Sequence, residues 1–277
     1  MKKILIVGGA GYVGTELTQI LLKNFHVTIY DLFYFDWILK NRKKIKNNDR
    51  LILKKKNILD VKKEDFKNID TICDVAGIAN DPSSDLNKNY STKINYSARY
   101  KFAMLAKKSG VKRYIFNSSC SIYGFNKKKV YEKSKINPLS CYAKAVYSAE
   151  KKIYKLRSNN FRVNILRNAT LYGFSNAMRL DLVINVFSYL LLNNKKITID
   201  GDGKQSRPFL SVNDVSRMYE YIIKRNTGSF IVNALAFSTN IDSLSKKIIK
   251  LLNKPKSLIK FNPSNKDHRN YDVGSKN

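Results

Sequence analysis

The chain has 277 residues, 43% of them hydrophobic, and a formal net charge of +31, which is enough length and apolar content to bury a substantial core. The lysines are spread along the chain and come with abundant asparagine, isoleucine and tyrosine, the bias of an AT-rich genome; a polyanion binder concentrates its charge on one surface, so a nucleic-acid partner is not expected. Two histidines, His26 and His268, argue against a metal site, and no apolar run approaches the roughly 18 residues of a membrane span.

Residues 3 to 7, Lys-Ile-Leu-Ile-Val, read as a first strand, and Gly-Gly-Ala-Gly-Tyr-Val-Gly follows. Gly8, Gly11 and Gly14 stand at three-residue spacing, and Gly9, Gly11 and Gly14 form G-x-G-x-x-G, before an amphipathic helix from Tyr12 to Lys23. Glycines let the backbone turn tightly and approach a pyrophosphate, and the N–H groups at the helix start face the anion. A second strand, His26 to Tyr30, is closed by Asp31. A carboxylate there can accept both ribose hydroxyls of an adenosine and repels a 2′-phosphate, which favours NAD over NADP. A short helix is expected around Trp37 to Lys44, then a third strand, Leu51 to Lys55, with Asp60 in the loop beyond it. Asp70 to Val75 is a buried fourth strand ending in Val75-Ala76-Gly77, where small residues let a cofactor pass close.

The stretch Asp81 to Asn89 reads as a loop and Tyr90 to Ser109 as a helix ended by Gly110. Lys112 to Asn117 is a fifth strand, followed by Ser118-Ser119-Cys120-Ser121-Ile122-Tyr123-Gly124. Pro138 precedes a helix from about Leu139 to Arg157, and Phe161 to Leu166 is a sixth strand. This alternation predicts an α/β fold, a Rossmann-type doubly wound parallel sheet with ligands at the carboxyl ends of its strands. Beyond Arg167 the rhythm changes. A helix near Leu180 to Asn193, a glycine turn at 201–203, extended residues 207–212, a helix 213–224, a strand 229–233 and a helix 241–252 are expected. The division is a Rossmann domain over 1–170 and a smaller, mainly substrate-binding lobe over 171–277, with 206–235 returning to the Rossmann sheet. The cysteines Cys73, Cys120 and Cys141 form no C-x-x-C pair, which fits reduced thiols in a cytoplasm.

Taken in order, these motifs resemble the extended short-chain dehydrogenase/reductase family, in its NAD-dependent nucleotide-sugar epimerase/dehydratase branch. The resemblance rests on the glycine fingerprint, Asp31, Asp60, Val75-Ala76-Gly77, Asn95 and the Ser-Ser-Cys-Ser-Ile-Tyr-Gly loop. It continues with Pro138, Tyr142 and Glu150, then Leu166-Arg167, Tyr172-Gly173, and Arg207-Pro208-Phe209 before Val212 and Asp214. It implies transient oxidation of a sugar hydroxyl by NAD and then a step on the keto sugar. By this resemblance Tyr142 is the catalytic base and Ser119 holds the sugar oxygen. The implied NAD contacts are Gly8, Gly11, Tyr12, Val13, Asp31, Ile58, Leu59, Asp60, Val75, Ala76, Gly77, Asn95 and Tyr142. The implied contacts to a nucleotide-diphosphate sugar are Ser119, Ser121, Thr170, Arg207 and Arg269, the arginines gripping the diphosphate. Relatives pair the helices 90–109 and 139–157 across a two-fold axis, so a homodimer is implied, with Tyr96, Tyr100, Met104, Val146 and Ile153 as contributors.

Three departures narrow the reading. The family's tyrosine is followed four residues later by a lysine that lowers its pKa and binds the nicotinamide ribose; here that position is Val146, and Lys144 is only two residues on, on another face of the helix. The dehydratase and decarboxylase branches carry an acid after the catalytic hydroxyl, whereas this chain has Cys120-Ser121, with Cys120 and Cys141 expected to be packed. Members also continue for some tens of residues past the segment resembling 268–276, which implies a short version of the substrate lobe. The expected activity is a 4-epimerase of nucleotide sugars in surface polysaccharide synthesis. A nucleotide-sugar reductase, or an NAD-binding protein impaired by Val146, remains the alternative.

Overall fold

Four consecutive apolar residues, Ile4 to Val7, are almost wholly buried in β1 (Lys3–Val7), the mark of a parallel strand covered on both faces. The computed structural model describes residues 1–225, 227–264 and 269–276; His268 lies outside the described residues. From β1 the chain runs through α1 (Tyr12–Leu21), β2 (His26–Asp31), α2 (Trp37–Asn41), β3 (Leu51–Lys55) and β4 (Thr71–Asp74). It continues through α3 (Asp81–Leu86), α4 (Lys88–Thr92), α5 (Arg99–Lys108), β5 (Arg113–Ser119), α6 (Cys141–Tyr154) and β6 (Arg162–Asn168). The second part contains β7 (Thr170–Tyr172), α7 (Val183–Leu192), β8 (Ile197–Asp200), β9 (Ser206–Ser211), α8 (Val212–Lys224), β10 (Phe230–Ala234), β11 (Phe237–Asn240), α9 (Ile241–Leu251) and β12 (Ile259–Asn262).

Seven strands form one sheet in the order β10-β6-β5-β4-β1-β2-β3, every pairing parallel. The chain winds outward from β1 to β3 and then returns to wind the other way from β4, so a crevice opens at the carboxyl ends of β1 and β4. One face is packed by α1 and α8 through Leu17, Leu21, Val215, Tyr219 and Ile222. The other is packed by α5 and α6 through Phe102, Ala106, Val146 and Ile153. A third cluster, including Phe187, Leu191, Ile197, Phe209, Leu244 and Ile248, holds α7, α9, β8 and β9 together.

Several expectations change. Residues 81–89 are helical, because Asn80 and Asn87 cap α3 and α4 by accepting the N–H groups of Ser83 (2.7 Å) and Tyr90 (2.9 Å). The long helix that follows is interrupted by a π-helical stretch, Lys93–Ala98. The segment 206–235 divides: β10 joins β6 in the central sheet, whereas β9 sits between β11 and β7 in a separate three-stranded sheet. β12 pairs with β8, a contact with no local sequence signal. Val146 and Ile153 are fully buried in the core and cannot contribute to a dimer surface. Among the described residues, no helix is long and apolar enough to cross a membrane.

Candidate active site

The turn from β1 into α1 has no space for a side chain at Gly8 or Gly14. Gly8 has φ +80°, and a Cβ there would stand 2.7 Å from Ala76 Cα; one on Gly14 would overlap the Gly8 carbonyl oxygen and lie 2.5 Å from Gly9 Cα. Gly11 differs: its Cβ would meet only the Gly8 oxygen, at 3.4 Å. The protein does not require glycine at that point, but an anion approaching the backbone does. Asp31 closes the loop, with Oδ2 accepting from Ala10 N (3.0 Å) and Oδ1 from Phe33 N (2.7 Å). Burial pushes its carboxyl up, against the lowering effect of those N–H groups. Ile58 is buried and Leu59 half-buried in the turn after β3, where Asp60 is exposed. This cradle fits the adenosine and diphosphate of NAD.

Across the crevice, Val75-Ala76-Gly77 leaves β4, with Gly77 at φ +150°. Asn95 lies in the π-helical stretch and is fully buried. Its Oδ1 accepts from Ile78 N (2.9 Å), and its Nδ2 donates to Ile78 O and Ser91 Oγ (3.1 Å each). Its carboxamide therefore shapes the loop after β4 from within the protein. Val13 packs on the first core, and the Tyr12 hydroxyl donates to Gly173 O (2.7 Å).

Ser119 ends β5, and its Oγ accepts from Ser121 N (3.1 Å). Tyr142 lies in the first turn of α6, whose N-cap Ser140 accepts from Ala143 N (3.1 Å). Burial raises the Tyr142 pKa above its ordinary value; the charges of Arg99 and Arg179 and the Ser119 hydroxyl pull the other way, and Asp81 adds to the rise. Lys144 is exposed and Val146 buried, so the helix carries no cation one turn below the tyrosine. Ser121 Oγ and Asn168 Oδ1 are buried with no hydrogen-bond partner among the described residues, and Asn168 stands in register with Ser119. Two such atoms beside the Ser119–Tyr142 pair suit a polyhydroxylated ligand. Thr170 is half-buried, two residues further on in β7.

Beneath this pair Glu150 accepts from Ser118 Oγ (2.6 Å) and from Arg167 Nη2 (2.6 Å). That buried bridge fixes α6 to β5 and β6. The Cys120 thiol donates to Arg167 O (3.1 Å) and is raised by burial, so it is packed as expected. Cys141 is not: it is half-exposed, its sulfur 3.7 Å from Lys88 O.

The arginines expected at the diphosphate are engaged within the protein. Arg207 is 6% exposed, its Nη1 donating to the carbonyls of Ser206 (2.7 Å) and Arg269 (2.6 Å), with its guanidinium 5.0 Å from the Tyr271 ring. Arg269 pairs with Asp81. Next to them a cavity of about 1040 Å³ opens between Phe125, Leu139, Phe261 and the turn Asp200 to Gln205. Sequence reasoning did not find Arg99, Asp74, Arg179 or Asn185, which have no local motif.

The NAD dependent epimerase/dehydratase family model matches residues 4–234. The chain is 31% identical over 222 residues to an uncharacterized UDP-glucose epimerase of Bacillus subtilis, covering 76% of this chain and 69% of that one. It is 30% identical to a putative UDP-glucose 4-epimerase of Methanocaldococcus jannaschii, covering 77% and 71%. The fold is that of the UDP-glucuronic acid 4-epimerase of Bacillus cereus, solved with UDP-glucuronic acid and NAD, at TM-score 0.85 and 24% identity over 99% of this chain and 90% of that chain. The chain therefore belongs to the NAD dependent epimerase/dehydratase family, an enzyme family with NAD as its cofactor.

Proposed function

We propose that this chain is a 4-epimerase of a nucleotide-diphosphate sugar, acting in the synthesis of a surface polysaccharide. The observation that carries the reading is Tyr142 in the first turn of α6 with Ser119 at the end of β5, followed by Cys120-Ser121, a stretch that holds no carboxylate for elimination. NAD, when bound, supplies a reversible hydride acceptor. Tyr142 as phenolate takes the proton of the sugar hydroxyl, and Ser119 holds that oxygen throughout. The keto sugar then presents its other face, and Tyr142 returns the proton to the inverted alcohol. Ser121 Oγ and Asn168 Oδ1 serve as acceptors for sugar hydroxyls, and the cavity beside Arg207 takes the nucleotide. Incubation with UDP-, GDP- and dTDP-sugars tests this; no epimer from any of them, with NAD bound, refutes it.

A second reading, NAD binding without turnover, is favoured by one observation: Val146 is sealed in the core where a family member has lysine. Brisk turnover removes it. Reduction of a keto sugar with NADH as a stoichiometric reactant is separated from epimerisation by the appearance of NAD. The cell-surface role, the cytoplasmic location and the homodimer are part of the proposal. Tyr96, Tyr100 and Met104, half-buried, support a helical contact, and light scattering that shows a monomer removes it.

A further inference from the structure

The stretch 173–182 between β7 and α7 takes neither helix nor strand, yet it crosses from one bank of the crevice to the other. It starts on the glycine helix: Tyr12 Oη donates to Gly173 O (2.7 Å), and Ser175 Oγ donates to Tyr12 O (2.7 Å). Tyr12 opens α1 directly after Gly11. The far end lies on the loop after β4. There Arg179 Nη2 donates to Ala79 O (3.3 Å), and Asp181 Oδ2 accepts from Asn80 Nδ2 (3.0 Å), just past Gly77. Between the two ends Ser175 and Ala177 are buried, whereas Phe174 is 76% exposed.

The two banks are the walls of the NAD cradle, which face each other so closely that a Cβ on Gly8 would stand 2.7 Å from Ala76 Cα. The ends of the span differ in strength. At Tyr12 the hydroxyl also accepts from the buried Asn185 Nδ2 (3.2 Å), which braces that end inside the protein. The other end is a clasp at the surface. Arg179 grips Asp181 through Nε to Oδ1 (3.0 Å) and Nη2 to Oδ2 (2.5 Å), which orients the carboxylate toward Asn80. Asn80 is fixed in turn, its Oδ1 accepting from Ser83 N as the cap of α3, and Asp81 beside it pairs with Arg269. The Arg179 and Asp181 side chains are 22% and 42% exposed, so water competes for these bonds and this is the end that opens first.

We propose that residues 173–181 form a strap over the NAD crevice, hinged at Tyr12 and fastened at Ala79 and Asn80, and that NAD enters and leaves only when the clasp is undone. Opening breaks side-chain bonds and no helix or strand ladder, so it lies within the range of local fluctuations. The strap is a gate rather than a contact for the cofactor. Every partner in the clasp is a protein atom, so the clasp is the same with and without NAD. Loosening it therefore speeds entry and exit alike and leaves the affinity unchanged. A chain that exchanges NADH for NAD at every turnover is slowed by such a gate, whereas one that returns its hydride to the same sugar is not. The proposal rests on NAD as the cofactor and is independent of the sugar and of the reaction.

The test follows the cofactor alone, in the full chain. NADH, whose fluorescence changes on binding, is equilibrated with the protein, and its release is timed in a stopped-flow chase with excess NAD. A titration gives Kd, and the two together give the association rate constant. Asn80→Asp keeps the cap on Ser83 N and turns the donor facing Asp181 into a second carboxylate. Asp181→Ala undoes the clasp from the other bank, at a half-exposed loop position. We expect dissociation to be about tenfold faster in each variant, as for loss of a hydrogen bond to a charged group, with Kd within about twofold of the parent. An unchanged dissociation rate in both variants overturns the proposal, because NAD then leaves by another way. A Kd that weakens in step with dissociation, at a constant association rate, also overturns it, because the clasp is then a binding contact. Faster exchange in both variants, with no epimer formed from any nucleotide sugar, refutes the epimerase reading alone.

Discussion

The four-glycine loop separates two kinds of glycine, and alanine at Gly11 and Gly14 tells them apart. At Gly14, relieving a 2.5 Å approach to Gly9 Cα to an ordinary carbon contact requires a shift of roughly 1 Å between two backbones. Such overpacking costs about 1–3 kcal/mol or more, and the helix propensity of alanine returns only about 1 kcal/mol. With about 2 °C per kcal/mol at this chain length, Gly14→Ala lowers Tm by a few degrees and disturbs the loop. Gly11 has φ −79° and only one protein neighbour, at 3.4 Å, so Gly11→Ala leaves Tm within about 2 °C of the parent. Its methyl group instead occupies the path of the pyrophosphate. Losing one or two charge-assisted N–H bonds there costs about 3 kcal/mol, or roughly a hundredfold in NAD affinity. Calorimetric titration with NAD and thermal melts of both variants provide the measurement. Gly11→Ala binding NAD like the parent would refute the placement of the diphosphate over Gly11.

Other outcomes follow from the site. Burial holds Tyr142 above its ordinary pKa, so the phenolate fraction grows with pH and the rate climbs about tenfold per unit from pH 7 to 9; Tyr142→Phe abolishes that limb, Lys144→Ala leaves it, and a flat profile contradicts it. Glu150→Leu leaves Arg167 unpaired in the interior and costs about 3–5 kcal/mol in a denaturant titration; a loss below about 1 kcal/mol would mean that Arg167 finds another partner. The side-chain bond from Arg179 holds the half-exposed Asp181 carboxyl down to about 2, below its unfolded value. Its stabilisation is therefore complete above pH 4 and is lost as pH falls toward 2; Asp181→Asn should flatten that acid limb of Tm against pH.

Much of this architecture is legible because it is local. The glycine turn, Asp31 and the buried strands are each specified within a few residues, and their order gives the parallel sheet. The missing lysine at Val146 is legible too, as an absence. The buried pair of Arg99 and Asp74 is not, because the two are 25 residues apart and meet only once β4 and α5 have packed. Residues 81–89 were misread for a different reason: two asparagines that look like loop residues are the N-caps of short helices. Arg207 shows the limit of motif transfer, since the motif marks the residue but not the carbonyls of Ser206 and Arg269 that engage it.

Asn185 joins the two halves of the site and shows how the second lobe acts on the first. It lies in the first turn of α7, 5% exposed. Oδ1 accepts from Gly173 N (2.9 Å), and Nδ2 donates to Tyr12 Oη (3.2 Å) and Arg179 O (3.0 Å). One carboxamide thus links the glycine helix, the turn after β7 and the loop that carries Arg179. Asn185→Ala leaves the Gly173 N–H without its acceptor, at a cost of about 1–3 kcal/mol, and releases the Arg179 loop. The NAD cradle is held independently, by Ala10 on Asp31 and by Gly11 on Gly8 (3.2 Å). NAD affinity should then stay within about threefold of the parent while KM for the sugar nucleotide rises about tenfold, a loss of binding rather than of chemistry. Asn185→Asp keeps the acceptor and loses the donor, and should fall between the two. An equal fall in NAD affinity would show that Tyr12 needs this brace to shape the glycine loop, and an unchanged KM would show that the lobe is held over the crevice without it.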